Sequence, residues 1–115
     1  MPKEHRHHTR YEALISLDVY DMRSGEVIGQ LFDISHQGLR LHSSQVIPNN
    51  ASLSLGVSML HQQRPDPESV ISAQCIWRIP AEQHPGWYYG FRLLQAPSGW
   101  LSIVDSVRQQ LALHL

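Results

Sequence analysis

Two short stretches of this 115-residue chain hold residue types suited to binding chemistry. The first is Arg6-His7-His8-Thr9-Arg10, with two guanidinium groups four residues apart in a polar segment. The second is Asp33-Ile34-Ser35-His36-Gln37-Gly38, where a carboxylate and a hydroxyl two residues apart precede a glycine. Clustered arginines suit an anionic ligand, and a charged carboxylate is a strong acceptor for N–H donors. Each stretch also has a plainer reading. Arginines in a polar arm are ordinarily solvated. Asp-x-Ser at a strand end ordinarily bonds its own turn backbone.

The surrounding pattern says which elements carry these residues. Residues 1–10 show no hydropathy period and read as a flexible arm. From Tyr11 the pattern changes: Ala13, Ile15, Leu17 and Val19 alternate with Glu12, Ser16, Asp18 and Tyr20, which predicts a strand with one buried face. Asp21 to Gly25 is a turn by composition, and Val27 to Ile34 is a second strand in a hairpin with the first. Leu39 to His42 follows as a third. Ile47-Pro48-Asn49-Asn50 breaks the chain. Leu53, Leu55, Val57 and Met59 then alternate with small polar residues as a fourth strand, and His61 to Glu68 is a polar loop. Val70 to Ile79 and Trp87 to Leu94 are the last two strands, separated by a turn at Pro80 to Gly86. Six short strands joined by Gly, Pro and Asn turns predict a small antiparallel barrel.

The end of the chain has a different period. Trp100, Val104, Val107 and Leu111 are spaced as one face of an amphipathic helix, expected over 98–113 with Ser98 as its N-cap. Asp105, Arg108, Gln109 and Gln110 are expected to face water. The domain reading is an arm at 1–10 and a barrel with its helix at 11–115.

Composition removes several function classes. The chain is 42% hydrophobic, and its formal charge is −1, too small for a broad electrostatic grip on duplex nucleic acid or anionic lipid. Any anionic partner must be met by locally clustered cations. Cys75 is the single cysteine, so neither an intrachain disulfide nor a multi-cysteine metal site is available. Apolar runs are too short to span a membrane, and Met1 to Arg6 holds no signal-peptide core, so a cytoplasmic location is expected.

Arg-x-x-x-Arg before the first strand and Asp-x-Ser-x-x-Gly after the second together resemble the paired signature of the PilZ domain, a family of bacterial receptors for cyclic di-GMP. Trp77 on the fifth strand, Tyr88-Tyr89-Gly90-Phe91 on the sixth and the C-terminal helix extend the resemblance from Arg6 to about Leu113. It implies a six-stranded antiparallel barrel and a non-catalytic receptor for cyclic di-GMP. The implied ligand-binding residues are Arg6, Arg10, Asp33, Ser35, Gly38 and Trp77. The ligand is a dianion with two guanines. Arginine matches guanine O6 and N7 with two parallel donors and also pairs with phosphate. Asp33 accepts from the guanine N1–H and N2–H₂ edge. Ser35 bonds a guanine or orders the turn, and Gly38 admits close backbone approach or an unusual φ. Trp77 is open between core and ligand wall. Gln37 stands where the family often has a second glycine.

The resemblance also implies a mode of signalling. The arm orders over the ligand, and the new surface is read by a separate downstream protein of a motility, pilus, polysaccharide or signalling system. The alternative is a PilZ-type module that holds a protein partner without nucleotide. An enzyme is disfavoured: Asp33 and Ser35 project side by side, and no nucleophile elbow surrounds Ser35. A metal on His5, His7 and His8 lacks an evident carboxylate or cysteine companion. Their protonation would add charge beside the phosphates and raise affinity modestly between about pH 7.5 and 6. His36, His42, His61, His84 and His114 read as scattered surface residues. Cys75 reads as a core thiol on the same strand face as Ala73 and Trp77.

Overall fold

A computed structural model describes residues 17–58, 64–65 and 67–112. Six strands form its framework: β1 (Asp18–Asp21), β2 (Glu26–Ser35), β3 (Gly38–Ser43), β4 (Ser52–Val57), β5 (Ile71–Pro80) and β6 (Trp87–Gln95). They are hydrogen-bonded in the order β1-β2-β3-β6-β5-β4, and antiparallel pairing of β1 with β4 closes the barrel. Closure leaves no sheet edge open to pair with another chain. The expected strands at 27–34, 39–42, 70–79 and 87–94 are all present; the one at 70–79 is shifted on by one residue, and the others are longer by one or two. Residues 13–16 of the first expected strand, Met59 and the arm lie outside the described residues.

The inner face forms one apolar cluster. Val19, Leu31, Ile34, Leu41, Leu55, Ile71, Ala73, Tyr89 and Phe91 are all buried in it, as is Cys75. Tyr89 is fully enclosed, and its hydroxyl stays satisfied there. It donates to the Gln45 carbonyl and accepts from the Ile47 amide, both at 2.9 Å. Burial pushes the Cys75 thiol above its ordinary range, with the desolvation partly offset by a backbone hydrogen bond from Trp77 and by the Arg78 charge.

Helix α1 (Trp100–Ala112) packs against β2 and the turn that follows it. Trp100, Val104 and Val107 are buried, as the spacing predicts. One detail differs from expectation, and one adds to it. The Gly99 carbonyl accepts the first helical bond, from the Ile103 amide, so the cap residue is Gly99 and Ser98 lies in the turn before it. Arg108 is exposed, as expected, and also donates its Nε–H to the Ile34 carbonyl at 3.1 Å. Trp100 Nε1–H donates to the His36 carbonyl at 3.2 Å. The helix thus holds one carbonyl near the end of β2 and one in the β2–β3 turn. Among the described residues no helix is long and apolar enough to cross a membrane.

Candidate functional site

The β2–β3 turn is built by its own side chains. The Gln37 amide donates to Ser35 Oγ at 3.2 Å, and Ser35 Oγ–H points to the Gly38 carbonyl at 3.5 Å. Of its two expected roles, Ser35 therefore fills the turn-ordering one. Gly38 is required by close approach: a Cβ there would lie within 2.0 Å of the Phe91 carbonyl oxygen. Its φ is ordinary, since the glycines at positive φ are Gly25 and Gly86. Gln37, in the place of a second glycine, also has no positive φ.

Asp33 and Trp77 reach the outer face by the same device. Leu31 faces inward, and a strict two-residue period would turn Asp33 inward after it. The register of β2 on β3 shifts between Leu31 and Asp33, with Phe32 as the extra residue. Asp33 is thereby paired with Arg40, between the inward Leu39 and Leu41. On β5 the register shifts between Cys75 and Trp77, with Ile76 extra. Trp77 is therefore not on the face of Ala73 and Cys75, as the sequence period suggests. It pairs with Gly90, and its indole lies against that residue where a Cβ would sit about 2.1 Å from the ring. Each bulge re-aims one side chain.

The result is an open cavity of about 240 Å³ on the outer face of β2, β3, β6 and β5. Asp33, Ser35, Gly38 and Trp77 all line it, together with Arg40 and Arg92, which the sequence reading missed. Arg40 donates to Asp33 Oδ2 at 2.5 Å and stacks over the Phe32 ring at 5.4 Å. Both partners of this ion pair are close to half exposed, so its net stabilisation is at most about 1 kcal/mol. The alternation through Tyr88, Gly90 and Arg92 is the signal that finds Arg92 on this face. Arg6 and Arg10 lie outside the described residues.

The same face continues away from the cavity into an aromatic cluster. Phe32 meets Tyr88 with ring centroids 5.1 Å apart, and His42 stacks on His84 at 4.4 Å. Those two histidines are gathered rather than scattered. Among the described residues no group of three or more His, Cys, Asp or Glu is placed to hold a metal ion. His5, His7 and His8 lie outside the described residues.

Comparison with protein families gives one result. The PilZ domain model matches residues 4–101, from ahead of the paired arginines to the second residue of α1. Comparison with curated proteins and with solved structures finds no significant match. A closed six-stranded barrel, Asp33-x-Ser35-x-x-Gly38 at its β2–β3 turn and a family match over most of the chain agree with one another. The chain belongs to the PilZ domain family, a family of cyclic di-GMP receptors whose domain is typically non-catalytic.

Proposed function

We propose that this chain is a cyclic di-GMP receptor that signals to a separate protein by ordering of its N-terminal arm. The observation that carries the reading is the convergence of Asp33, Ser35, Gly38 and Trp77, from three strands, on one outer cavity. Asp33 supplies acceptors for the N–H edge of a guanine, and Trp77 supplies a ring on which a base stacks. Gly38 keeps β3 and β6 close, and Ser35 holds the turn that sets the height of Asp33. Arg6 and Arg10 supply the donors for guanine O6/N7 and for phosphate.

The size of the cavity suits this division of labour. Its roughly 240 Å³ falls below the 300–1,000 Å³ or so of a complete small-molecule pocket. A further wall is needed, and the chain runs in from the right place. The Leu17 carbonyl accepts from the Leu31 amide at 2.8 Å, two residues before Asp33. Arg10 is seven residues upstream, a reach of at most about 25 Å.

Isothermal titration of cyclic di-GMP into the wild type, Arg10→Ala and Asp33→Ala tests the reading. Each substitution is expected to weaken binding by about 3 kcal/mol, roughly a hundredfold. Asp33→Ala is the more telling, because it also frees Arg40 and makes the cavity more positive. A ligand held by its phosphates alone would bind that variant more tightly. A folded wild type that gives no heat at millimolar ligand would favour the other reading, a nucleotide-independent interaction module. The exposed Phe32, Ile76 and Ile79 on the same face support that alternative.

A further inference from the structure

Arg40 and Arg92 both line the cavity but differ in how their charge is met. Arg40 is neutralised by Asp33 and covers Phe32. Arg92 forms none of the ion pairs found among the described residues. Its Nε–H and Nη2–H both donate to one neutral acceptor, Gln74 Oε1, at 3.0 and 2.9 Å. That fork uses two of the five guanidinium N–H groups and cancels no charge.

Gln74 is itself held from the other side. Its amide nitrogen points to the Asn50 carbonyl at 3.5 Å, and Asn50 sits at φ 67°, anchored by its own amide on the Cys75 carbonyl at 2.9 Å. The barrel therefore fixes which way the Gln74 oxygen faces, and through it where the Arg92 guanidinium stands. Cross-strand on the other flank, Arg92 faces Gly38, which offers no side chain to cover it. The three charged residues of the cavity wall, Asp33, Arg40 and Arg92, sum to one positive charge, and that charge is Arg92's.

We infer that Arg92 is a further ligand-binding residue, a phosphate contact preset by the neutral acceptor Gln74. The inference rests on the cyclic di-GMP reading above and deepens it. A carboxylate at position 74 would hold the arginine equally well but spend its charge. The neutral amide holds the geometry and leaves the full charge for an anion. Gln74 is thus a positioning residue that does not touch the ligand.

The test is titration of cyclic di-GMP at several salt concentrations into the wild type, Arg92→Gln, Arg92→Lys and Gln74→Glu, with a thermal melt of each. Arg92→Gln is expected to lose about tenfold or more in affinity and to flatten the log–log salt slope by about one. Arg92→Lys keeps the slope and recovers part of the affinity, since it keeps the charge without the fork. Gln74→Glu is the decisive variant. A merely structural role predicts a melting point held or raised and unchanged binding; the proposed role predicts the same melting point with binding weakened several-fold. Wild-type binding with Arg92→Gln at wild-type affinity and slope overturns the inference and leaves the receptor reading intact. Full affinity in Gln74→Glu overturns the role given to Gln74. A folded wild type that does not bind overturns both readings.

Discussion

The inner and outer faces of the β2–β3–β6–β5 wall obey different rules. Inside, Leu39, Leu41, Tyr89 and Phe91 follow the two-residue period of a strand without interruption, and all are buried. Outside, the residues that matter are placed by breaks in that period. Phe32 and Ile76 are each one residue too many, and each turns its successor, Asp33 or Trp77, from the core to solvent. The inner face minimises exposed apolar area, and alternation is the cheapest way to do so. The outer face assembles a carboxylate, an indole and two guanidinium groups, which alternation alone would have scattered. Both inserted residues remain exposed, Phe32 at 37% and Ile76 at 44%, as expected of residues that re-aim their neighbours and stay out of the core.

The largest expected effect separates the two faces directly. Phe91→Ala opens a cavity in the core and should cost about 3–5 kcal/mol of stability. Trp77→Ala should cost clearly less, because the half-buried indole covers Gly90 from outside. It should instead remove a stacking surface from the ligand, about 1–3 kcal/mol of binding. Urea unfolding and ligand titration of the two variants measure both quantities. Equal loss of stability in the two would mean that Trp77 is core after all and that the bulge at Ile76 has no such role.

Most of the barrel was legible because a closed sheet with one wet face writes its period into the sequence. Leu53, Leu55 and Val57 on β4 are an example. The helix was legible from Trp100, Val104 and Val107 for the same reason, though Ser98 misled about its cap because the turn at Pro97 to Trp100 delays the first helical bond by one residue. The site was legible by type and not by direction. Asp33, Ser35, Gly38 and Trp77 stand out by residue type, but an extra residue in a strand has no local mark, and so the sequence period puts Trp77 beside Cys75. Arg40 and Arg92 look like ordinary surface charges until cross-strand pairing sets them around Gly90 and Gly38. The stacking of His42 on His84 joins β3 to the β5–β6 turn, a contact between residues 42 apart that no sequence window holds.

A smaller effect compares polar groups on the two faces. Tyr89→Phe keeps the ring but leaves the buried Ile47 amide without its acceptor, and should cost about 1–3 kcal/mol. Arg108→Ala removes one part-buried bond from an otherwise exposed side chain to the Ile34 carbonyl, and should cost about 1 kcal/mol. Its second effect is the sharper one. If α1 holds the Asp33–Gly38 turn at a fixed height, Arg108→Ala should weaken ligand binding by more than it lowers stability. A thermal shift and a titration on the same sample decide between the two.

The smallest effect belongs to Cys75, the one titrating group on the inner face whose environment clearly moves it. Burial raises its ionisation above that of the unfolded thiol. The unfolded chain therefore loses this proton first as pH rises. Above about pH 8.5 it binds fewer protons than the folded chain, and stability falls with pH. The contribution is fully present below the unfolded value and is lost as pH climbs toward the folded one. The slope from this group cannot exceed about 1.4 kcal/mol per pH unit. Urea midpoints for the wild type and Cys75→Ala, taken at intervals from pH 7.5 to 9.5, isolate it: the wild type should fall more steeply, and parallel curves would sink the assignment. The outer face offers the control. The candidate site carries no thiol, so ligand affinity in Cys75→Ala should track that of the wild type across the same range. A divergence in affinity would show that the inner face reaches the site through the Cys75–Trp77 bulge, where the thiol donates to the Trp77 carbonyl at 3.8 Å.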